Sequence, residues 1–253
     1  MQIINLGSGS KGNATVIESE GKLLLVDCGF SRRQMLKRFA EAGFNPDDLC
    51  GILVTHEHGD HIYSAEKLCN EFDATLIATA GTIEGGNLVT RNKRVAKYDQ
   101  MIEHENFSIL PLQVSHDTEE PCAFLIENDE AKSLFLTDVG TTDNLDIPVM
   151  TDLDYLYIEA NHDSEMLATG PYPYFLKQRV SGIGGHLNNE ESGELIKTLA
   201  AQSPNLKTVM LAHLSDKNNH PDIALQAVKK RTGDLGSIKL QVAMQALPTD
   251  MTK

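Results

Sequence analysis

The 253-residue sequence lacks any run that approaches about 18 apolar residues, and its start lacks a basic segment followed by an apolar stretch. We therefore expect neither a membrane span nor a secretory signal. Positive charge is also scarce, because 22 Lys and Arg residues stand against 36 Asp and Glu, for a net charge of −14. This surplus of negative charge opposes non-specific adhesion to nucleic acid or anionic lipid, so a polyanionic partner has to be bound locally.

Cysteines are few and widely spaced. The four of them, Cys28, Cys50, Cys69 and Cys122, form no CxxC pair. This spacing favours reduced thiols over a disulfide framework or a zinc ribbon, and it predicts a cytoplasmic protein. Hydrophobic residues at 41% and charged residues at 23% are typical of a soluble globular chain. With no internal repeat and no linker-like segment, we predict a single domain over residues 1–253.

Short apolar runs bounded by turn residues predict strands, and apolar residues at helical spacing predict helices. The strands are expected at residues 2–6, 14–18, 23–26, 52–55, 74–78, 107–114, 123–127, 134–137, 155–159, 208–212 and 238–243. The helices are expected at residues 32–42, 61–72, 189–202 and 221–230. Both halves begin with strands and continue with interleaved helices. This order predicts an α+β fold with two mixed sheets packed face to face and helices outside.

The segment THEHGDHI follows the strand GILVT and concentrates metal-ligand residues in one loop: His56, His58, Asp60 and His61. In extended chain, alternation turns His56 and His58 to the same side, while Asp60 and His61 can turn toward a second centre. Imidazole and carboxylate groups suit zinc, manganese or iron without selecting among them. The HxHxDH spacing therefore predicts a loop that supplies ligands to two metals.

Three more residues of ligand type follow directly after predicted strands. His116 follows FSILPLQVS, Asp138 follows SLFLT, and His213 follows TVMLA. Taken singly, each has an equally good reading as a hydrogen-bonded core or loop residue. As a set at strand ends, they predict the remaining ligands of a dinuclear site.

This pattern resembles the metallo-β-lactamase superfamily, in which HxHxDH is followed by a His, an Asp and a final His. The resemblance implies a four-layer αββα sandwich with two metals at the sheet edges. It also implies the ligands: His56, His58 and His116 on one metal, Asp60, His61 and His213 on the other, and Asp138 between them. Asp27, in LLLVDCG, matches an Asp that supports the site, although a turn or N-cap Asp is an equally good reading.

Four further segments, LGSGSKGN, YIEANHD, GPYPYFLKQRVSGIGGHLNNE and LAHLSDKNN, resemble the YycJ/WalJ branch, whose members are considered nucleases. Two of them also resemble the tRNA 3′-processing relatives. By that match Glu159 orients His186, which would protonate the leaving group, and Asp60 belongs to the catalytic set. A loop His that caps the following helix is the alternative for His186. Asn188 departs from the Ser expected there.

The candidate substrate contacts are less specific. Lys177 and Arg179 lie closest in sequence to His186 and are the predicted phosphate contacts, with Ser10, Asn13 and Ser215 as further candidates. His162 and Asp163 either face the cleft or form a turn. The interval between Asp138 and His213 is too short for the large inserted domain of the β-CASP nucleases, and no Gly/Pro-rich arm is visible.

The sequence thus predicts a phosphodiesterase that uses two divalent ions, zinc or manganese, with nucleic acid as its substrate and no membrane partner. A DNA exonuclease that attacks with a metal-activated hydroxide is the leading hypothesis. A thioester or lactone hydrolase on the same site remains an alternative, because fold and metal site do not choose the substrate. A metal-binding regulatory protein without turnover is a second alternative.

Overall fold

The computed structural model describes residues 1–253, and its main feature is a pair of seven-stranded sheets. The strands are β1 (Gln2–Gly7), β2 (Ala14–Ser19), β3 (Lys22–Val26), β4 (Leu49–Leu53), β5 (Thr75–Thr79), β6 (Lys93–Ala96), β7 (Ile102–His104), β8 (Phe107–Gln113), β9 (Cys122–Glu127), β10 (Lys132–Leu136), β11 (Tyr155–Glu159), β12 (Thr208–Ala212), β13 (Lys239–Val242) and β14 (Thr249–Asp250). The first sheet has the order β14-β1-β2-β3-β4-β5-β6, and the second has the order β13-β12-β11-β10-β9-β8-β7.

Each sheet is antiparallel on one side and parallel on the other. Strands β3, β4, β5 and β6 run parallel in the first sheet, and β10, β11, β12 and β13 run parallel in the second. Because parallel strands end at the same edge, the residues after β3 and β4 share one edge of the first sheet. The residues after β10, β11 and β12 likewise share one edge of the second sheet.

The helices are α1 (Arg32–Ala42), α2 (Gly59–Ile62), α3 (Ala65–Phe72), α4 (Ala80–Gly85), α5 (Ser164–Thr169), α6 (Tyr174–Val180), α7 (Asn189–Ala201) and α8 (Pro221–Thr232). Strand β3 shows how a sheet packs against the other sheet on one face and against helices on the other face. Its alternate residues Leu24 and Val26 face the second sheet, whereas Leu23 and Leu25 belong to the cluster that contains Met35 of α1. Alternation of apolar side chains therefore buries both faces of the sheet.

Three hydrophobic clusters fill the spaces between four layers. One lies between the two sheets, one lies between the first sheet and helices α1 and α3, and one lies between the second sheet and helices α7 and α8. The predicted αββα sandwich is therefore confirmed. None of the helices is both long and apolar enough to span a bilayer.

One expectation about local structure was wrong, and several short elements were not predicted. Residues 61–72 form two helices rather than one, because the chain leaves the helix at Tyr63 and Ser64, whose hydroxyl donates to the Phe30 carbonyl at 2.7 Å. The sequence also gave no indication of β6, β7, β14, α4, α5 or α6, which are short elements of two to seven residues. Of these, α6 matters most, since it borders the candidate active site.

Candidate metal centre and active site

Three residues of the site lie just beyond strand ends with left-handed backbone. Asp27 follows β3 with φ 60°, Asp138 follows β10 with φ 59°, and His213 follows β12 with φ 53°. Asp and His are among the residues that adopt this conformation more readily than most, and such strain tends to collect at functional sites. All three side chains are buried, with exposures of 2% to 5%.

The first group of ligand-type atoms consists of three imidazoles. His56 Nε2 lies 3.1 Å from His58 Nδ1, and His116 Nε2 lies 3.2 Å from the same atom. Nitrogens bound to one tetrahedral zinc at 2.0–2.1 Å would lie about 3.3 Å apart. The spacing of these three nitrogens therefore suits a shared ion, and the Gly185 carbonyl lies 3.0 Å from His116 Nδ1.

The second group consists of Asp60, His61 and His213. The Oδ2 atom of Asp60 lies 3.7 Å from Nε2 of both histidines. Asp138 lies between the two groups, because its Oδ2 is 3.4 Å from His61 Nε2 and its Oδ1 is 3.7 Å from His116 Nε2. The geometry thus brings together all seven ligand-type residues singled out from the sequence.

Two buried polar atoms in this cluster lack any hydrogen-bond partner, namely Asp138 Oδ2 and His213 Nε2. An unpartnered buried polar atom is costly and calls for a specific explanation. Both atoms face other ligand-type groups, and an imidazole and carboxylate donor set suits divalent transition metals. The residues present therefore fit a divalent metal.

Asp27 and Thr55 contact one ring of each group, namely His61 of the second and His56 of the first. Asp27 Oδ2 lies 2.8 Å from His61 Nδ1, and Asp27 Oδ1 accepts from the Thr55 backbone N–H at 2.9 Å. The Thr55 hydroxyl lies 3.0 Å from His56 Nδ1. Burial alone would lower the pKa of His61, but the charges of Asp27 and Asp138 raise it to about 9. Asp27 thus supports one histidine directly and another through Thr55.

Glu159, at the end of β11, is fully buried and connects three segments. Its Oε1 accepts from the backbone N–H groups of Val139 at 2.7 Å and Leu187 at 3.0 Å. Its Oε2 lies 3.2 Å from Nδ1 of His186. Burial would raise the pKa of Glu159, but hydrogen bonds from His186 and His213 lower it to about 2, so the carboxylate is ionised at neutral pH.

A cavity of about 270 Å³ opens above the metal-type cluster. Of the residues singled out from the sequence, Ser10, Arg179, His186 and Ser215 line it beside the cluster. The guanidinium of Arg179 forms an ion pair with Asp117, whose other carboxylate oxygen lies 3.6 Å from His116 Nε2. A basic side chain therefore borders the cluster within an acidic protein.

Comparisons with known proteins identify the family. A profile of the Metallo-beta-lactamase superfamily matches residues 7–90. The chain is 34% identical over 230 residues to "Exodeoxyribonuclease WalJ" of Streptococcus pneumoniae serotype 2, covering 87% of this chain and 83% of that one. It is 32% identical over 230 residues to "Exodeoxyribonuclease YycJ" of Bacillus anthracis, covering 89% and 86%. The chain belongs to the WalJ/YycJ branch of the metallo-β-lactamase superfamily.

Solved structures of other metallo-β-lactamase-fold proteins share the fold of this WalJ/YycJ-branch chain. YhfI from Bacillus subtilis superposes with a TM-score of 0.74 at 18% identity, covering 99% of this chain and all of that one. The short form of human tRNase Z superposes with a TM-score of 0.67 at 15% identity and full coverage of both chains. At these identities the likeness concerns the fold alone.

Among the candidate substrate contacts and the neighbouring polar residues singled out from the sequence, four do not line the cavity of this metallo-β-lactamase-fold protein: Asn13, His162, Asp163 and Lys177. Asn13 is buried below it, where its side-chain oxygen accepts from Gly9 N at 2.9 Å and its nitrogen lies 3.1 Å from His61 Nε2. Lys177 donates to the Ala168 carbonyl at 2.6 Å and lines a second cavity together with His162. Asp163 caps helix α5, as a turn residue does.

Three cavity residues with polar side-chain groups were missed in the sequence of this WalJ/YycJ-branch chain: Asp117, Asn161 and Tyr172. Asp117 follows His116 directly, but its pairing with Arg179 joins residues far apart in the chain. Asn161 lies in YIEANHD and donates from its side chain to the His213 carbonyl at 2.9 Å. A polar residue after the strand that carries Glu159 was the available signal for Asn161. Tyr172 lies in the segment GPYPYFLKQRVSGIGGHLNNE, whose resemblance to the YycJ/WalJ branch was the available signal there.

Proposed function

We propose that this protein is a cytoplasmic exodeoxyribonuclease that depends on two divalent ions, zinc or manganese, and acts as one domain over residues 1–253. The curated relatives named as exodeoxyribonucleases support the activity. The four unpaired cysteines support the compartment, and a cluster of apolar side chains shared by both sheets supports the single domain. The observation that carries the proposal is His186, held by Glu159 at the cavity wall beside the ligand-type cluster.

The metal ligands in this proposal are those of the two groups with Asp138 between them. His56, His58 and His116 would hold one ion, Asp60, His61 and His213 the other, and Asp138 both. When bound, the ions would supply Lewis acidity, which lowers the pKa of a water and offsets charge on the phosphate. Asp60 is therefore assigned to the catalytic set through its place among the ligands.

His186 is the proposed general acid. Glu159 is ionised and immobilised by two backbone N–H groups, so it fixes the His186 ring by accepting from Nδ1. The opposite ring nitrogen, Nε2, is then left to carry a proton to the departing alkoxide oxygen. A thiolate departs without a proton, so thioester hydrolysis leaves this histidine without an equivalent role. A lactone releases an alkoxide and would use the same acid, and the relatives named as exodeoxyribonucleases are the reason why we favour phosphodiesters over lactones.

Arg179, Ser10 and Ser215 are the proposed substrate contacts in the catalytic cavity. The Arg179 guanidinium has five N–H donors, so its pairing with Asp117 leaves others for a phosphate oxygen. Asn13 is proposed to act indirectly, because it is buried and contacts His61 and the Gly9 loop rather than the cavity.

The activity is tested on end-labelled linear DNA, a closed circle of the same sequence, RNA of the same sequence, and a thioester, each with Mn²⁺ or Zn²⁺. We expect release of mononucleotides from linear DNA, little from RNA, and none from the circle. Cleavage of the circle would indicate an endonuclease. Turnover of the thioester alone would replace this proposal with the hydrolase alternative.

The role of His186 is tested with leaving groups of different basicity. General acid catalysis typically contributes about 10² to 10⁴-fold, so His186→Ala should slow DNA cleavage by about that factor. The loss on bis-p-nitrophenyl phosphate should be much smaller, because p-nitrophenolate departs without a proton. Glu159→Gln should give the same pattern in milder form, and His220→Asn, at an exposed helix cap, is the control. Equal losses on both substrates, or loss of bound metal, would assign His186 to binding or ligation instead.

A further inference from the structure

Helix α6 lies between two cavities, which it lines with different faces. Leu176, Arg179 and Val180 line the catalytic cavity. Tyr174, Lys177, Gln178 and Ser181 line the second cavity, of about 360 Å³. These four positions follow the i, i+3, i+4, i+7 spacing of one helix face. A single short helix therefore forms a wall of both cavities.

The second cavity suits an anion better than most of this protein's surface. One cation and several neutral polar groups line it, and no carboxylate does; its polar lining includes His162, Ser164, Lys177, Ser181 and Asn188. The protein as a whole carries a net charge of −14. By contrast, a cavity beside α7 is lined by three carboxylates and one cation, namely Glu190, Glu191, Glu194 and Arg231. Charge therefore favours a phosphate-bearing ligand in the second cavity.

Several side chains in this cavity have hydrogen-bonding groups or ring faces that are free to contact a ligand. Lys177 Nζ donates to the Ala168 carbonyl, which uses one of its three N–H groups. His162 is 2% exposed, and its buried Nδ1 has no hydrogen-bond partner. The ring of Tyr174 is 77% exposed, although it lines the cavity. A cation, an unpartnered imidazole and an exposed aromatic ring together match a phosphate and a nucleobase.

We propose that the second cavity, lined by Tyr174, Lys177 and His162, is a subsite for one nucleotide of a single-stranded substrate end, whose base stacks on Tyr174 and whose phosphate contacts Lys177. The inference rests on the proposed nuclease function and names the form of its substrate. A helix with its side chains is about 10–12 Å across, which corresponds to roughly three nucleotides if the strand keeps the 3.4 Å spacing of stacked B-form DNA. The subsite nucleotide therefore lies about three positions from the bond that is cleaved.

The test compares kcat/KM on DNA oligonucleotides of two to six nucleotides. In the unaltered protein, kcat/KM should rise with length up to about four nucleotides and then level off. Base stacking on an aromatic ring is worth about fivefold to a hundredfold in affinity, so Tyr174→Ala should lower kcat/KM by that factor on hexanucleotides. In this variant the ratio of kcat/KM on the hexanucleotide to that on the dinucleotide should fall by the same factor. Lys177→Gln should reduce the salt slope of hexanucleotide binding by about 0.7, the value for one phosphate contact on a single strand.

Phe175→Ala is the matched control. Phe175 lies on the same helix and is 73% exposed, but it lines neither cavity, so the ratio of rates should match that of the unaltered protein. A hexanucleotide lacking the base at the third position from the cleaved bond should lose as much as Tyr174→Ala loses, and the two changes together should cost no more than either alone.

Three outcomes would overturn the subsite. They are equal losses on short and long oligonucleotides, a loss in Phe175→Ala as large as in Tyr174→Ala, and rates independent of length. Each of them leaves the nuclease function intact. If the unaltered protein instead cleaves no oligonucleotide of any length and does not bind the hexanucleotide when stripped of metal, the proposed function and the subsite fail together.

Discussion

The buried carboxylate of Asp27 holds His61, and Asp27→Asn removes its charge and one of its acceptor atoms while keeping its shape. In the present structure one oxygen accepts from Thr55 N at 2.9 Å and the other lies 2.8 Å from His61 Nδ1. The backbone at position 27 has φ 60°, a conformation that Asn tolerates well. The substitution therefore perturbs hydrogen bonding without requiring the backbone to move.

An amide cannot serve both neighbours of Asp27. If its oxygen faces the Thr55 N–H, its NH₂ group faces His61 Nδ1, which then has to accept. The imidazole proton moves to Nε2, the atom that lies 3.4 Å from Asp138 Oδ2. In the reverse orientation, the NH₂ group of the amide faces the Thr55 backbone N–H, and two donors then point at each other. An unsatisfied buried group costs about 1–3 kcal/mol, which corresponds to about fivefold to a hundredfold in metal affinity.

The assay is competition for Zn²⁺ between metal-stripped protein and a chromophoric chelator. We expect Asp27→Asn to bind its more weakly held ion with an affinity that is lower than that of the unaltered protein by this factor. Circular dichroism should show that the variant is folded. Asp99→Asn makes the same substitution at φ 60° on an exposed residue and should bind zinc as the unaltered protein does. Affinity in Asp27→Asn equal to that in Asp99→Asn would refute the argument that Asp27 sets the tautomer of His61.

Three further variants test other parts of the site. Asp138→Ala should lower the metal bound per chain, as measured by elemental analysis, because its two oxygens face both ligand groups; unchanged stoichiometry would contradict the bridging position. Arg179→Ala should flatten the salt dependence of DNA binding by about one unit of slope, which Lys229→Ala, at an exposed position of α8, should not do. Burial lowers the pKa of His162 to about 4, below about 6.5 in the unfolded chain, so the folded state loses stability as pH falls from 6.5 through 4. In metal-stripped protein, the free energy of unfolding should fall over that pH range by up to about 3 kcal/mol less in His162→Gln than in the unaltered protein, as measured by urea denaturation. Identical pH curves for the two proteins would contradict this prediction.

The ligand-type residues could be predicted from the sequence because each lies in the segment that follows an apolar strand. A His or Asp at such a position is local information, and the parallel order of the strands brings these ends to shared edges. The HxHxDH loop supplies four of the residues within six positions. Periodicity of 2 and 3.6 likewise sufficed for the long buried elements, including β8, α1, α7 and α8.

What the sequence did not indicate depends on distant parts of the chain. Helix α6 has seven residues, none of them buried, so hydrophobic periodicity could not reveal it. The side chain of Lys177 points away from the catalytic cavity because α6 presents position 177 on the opposite face from position 179. The Asp117–Arg179 pair and the place of Asn13 under His61 join separate segments, and such contacts leave no local pattern.

The ligand-type residues come from both sheets, and this arrangement has a consequence for how the protein reaches its native state. His56, His58, Asp60 and His61 follow β4 of the first sheet, whereas His116, Asp138 and His213 follow strands of the second. Neither sheet supplies either complete proposed set. Closing loops from residue 56 to residue 213 costs conformational entropy, so we expect these contacts to form late in folding. Tight metal uptake by refolding protein should therefore coincide with the final docking of the two sheets rather than with early collapse.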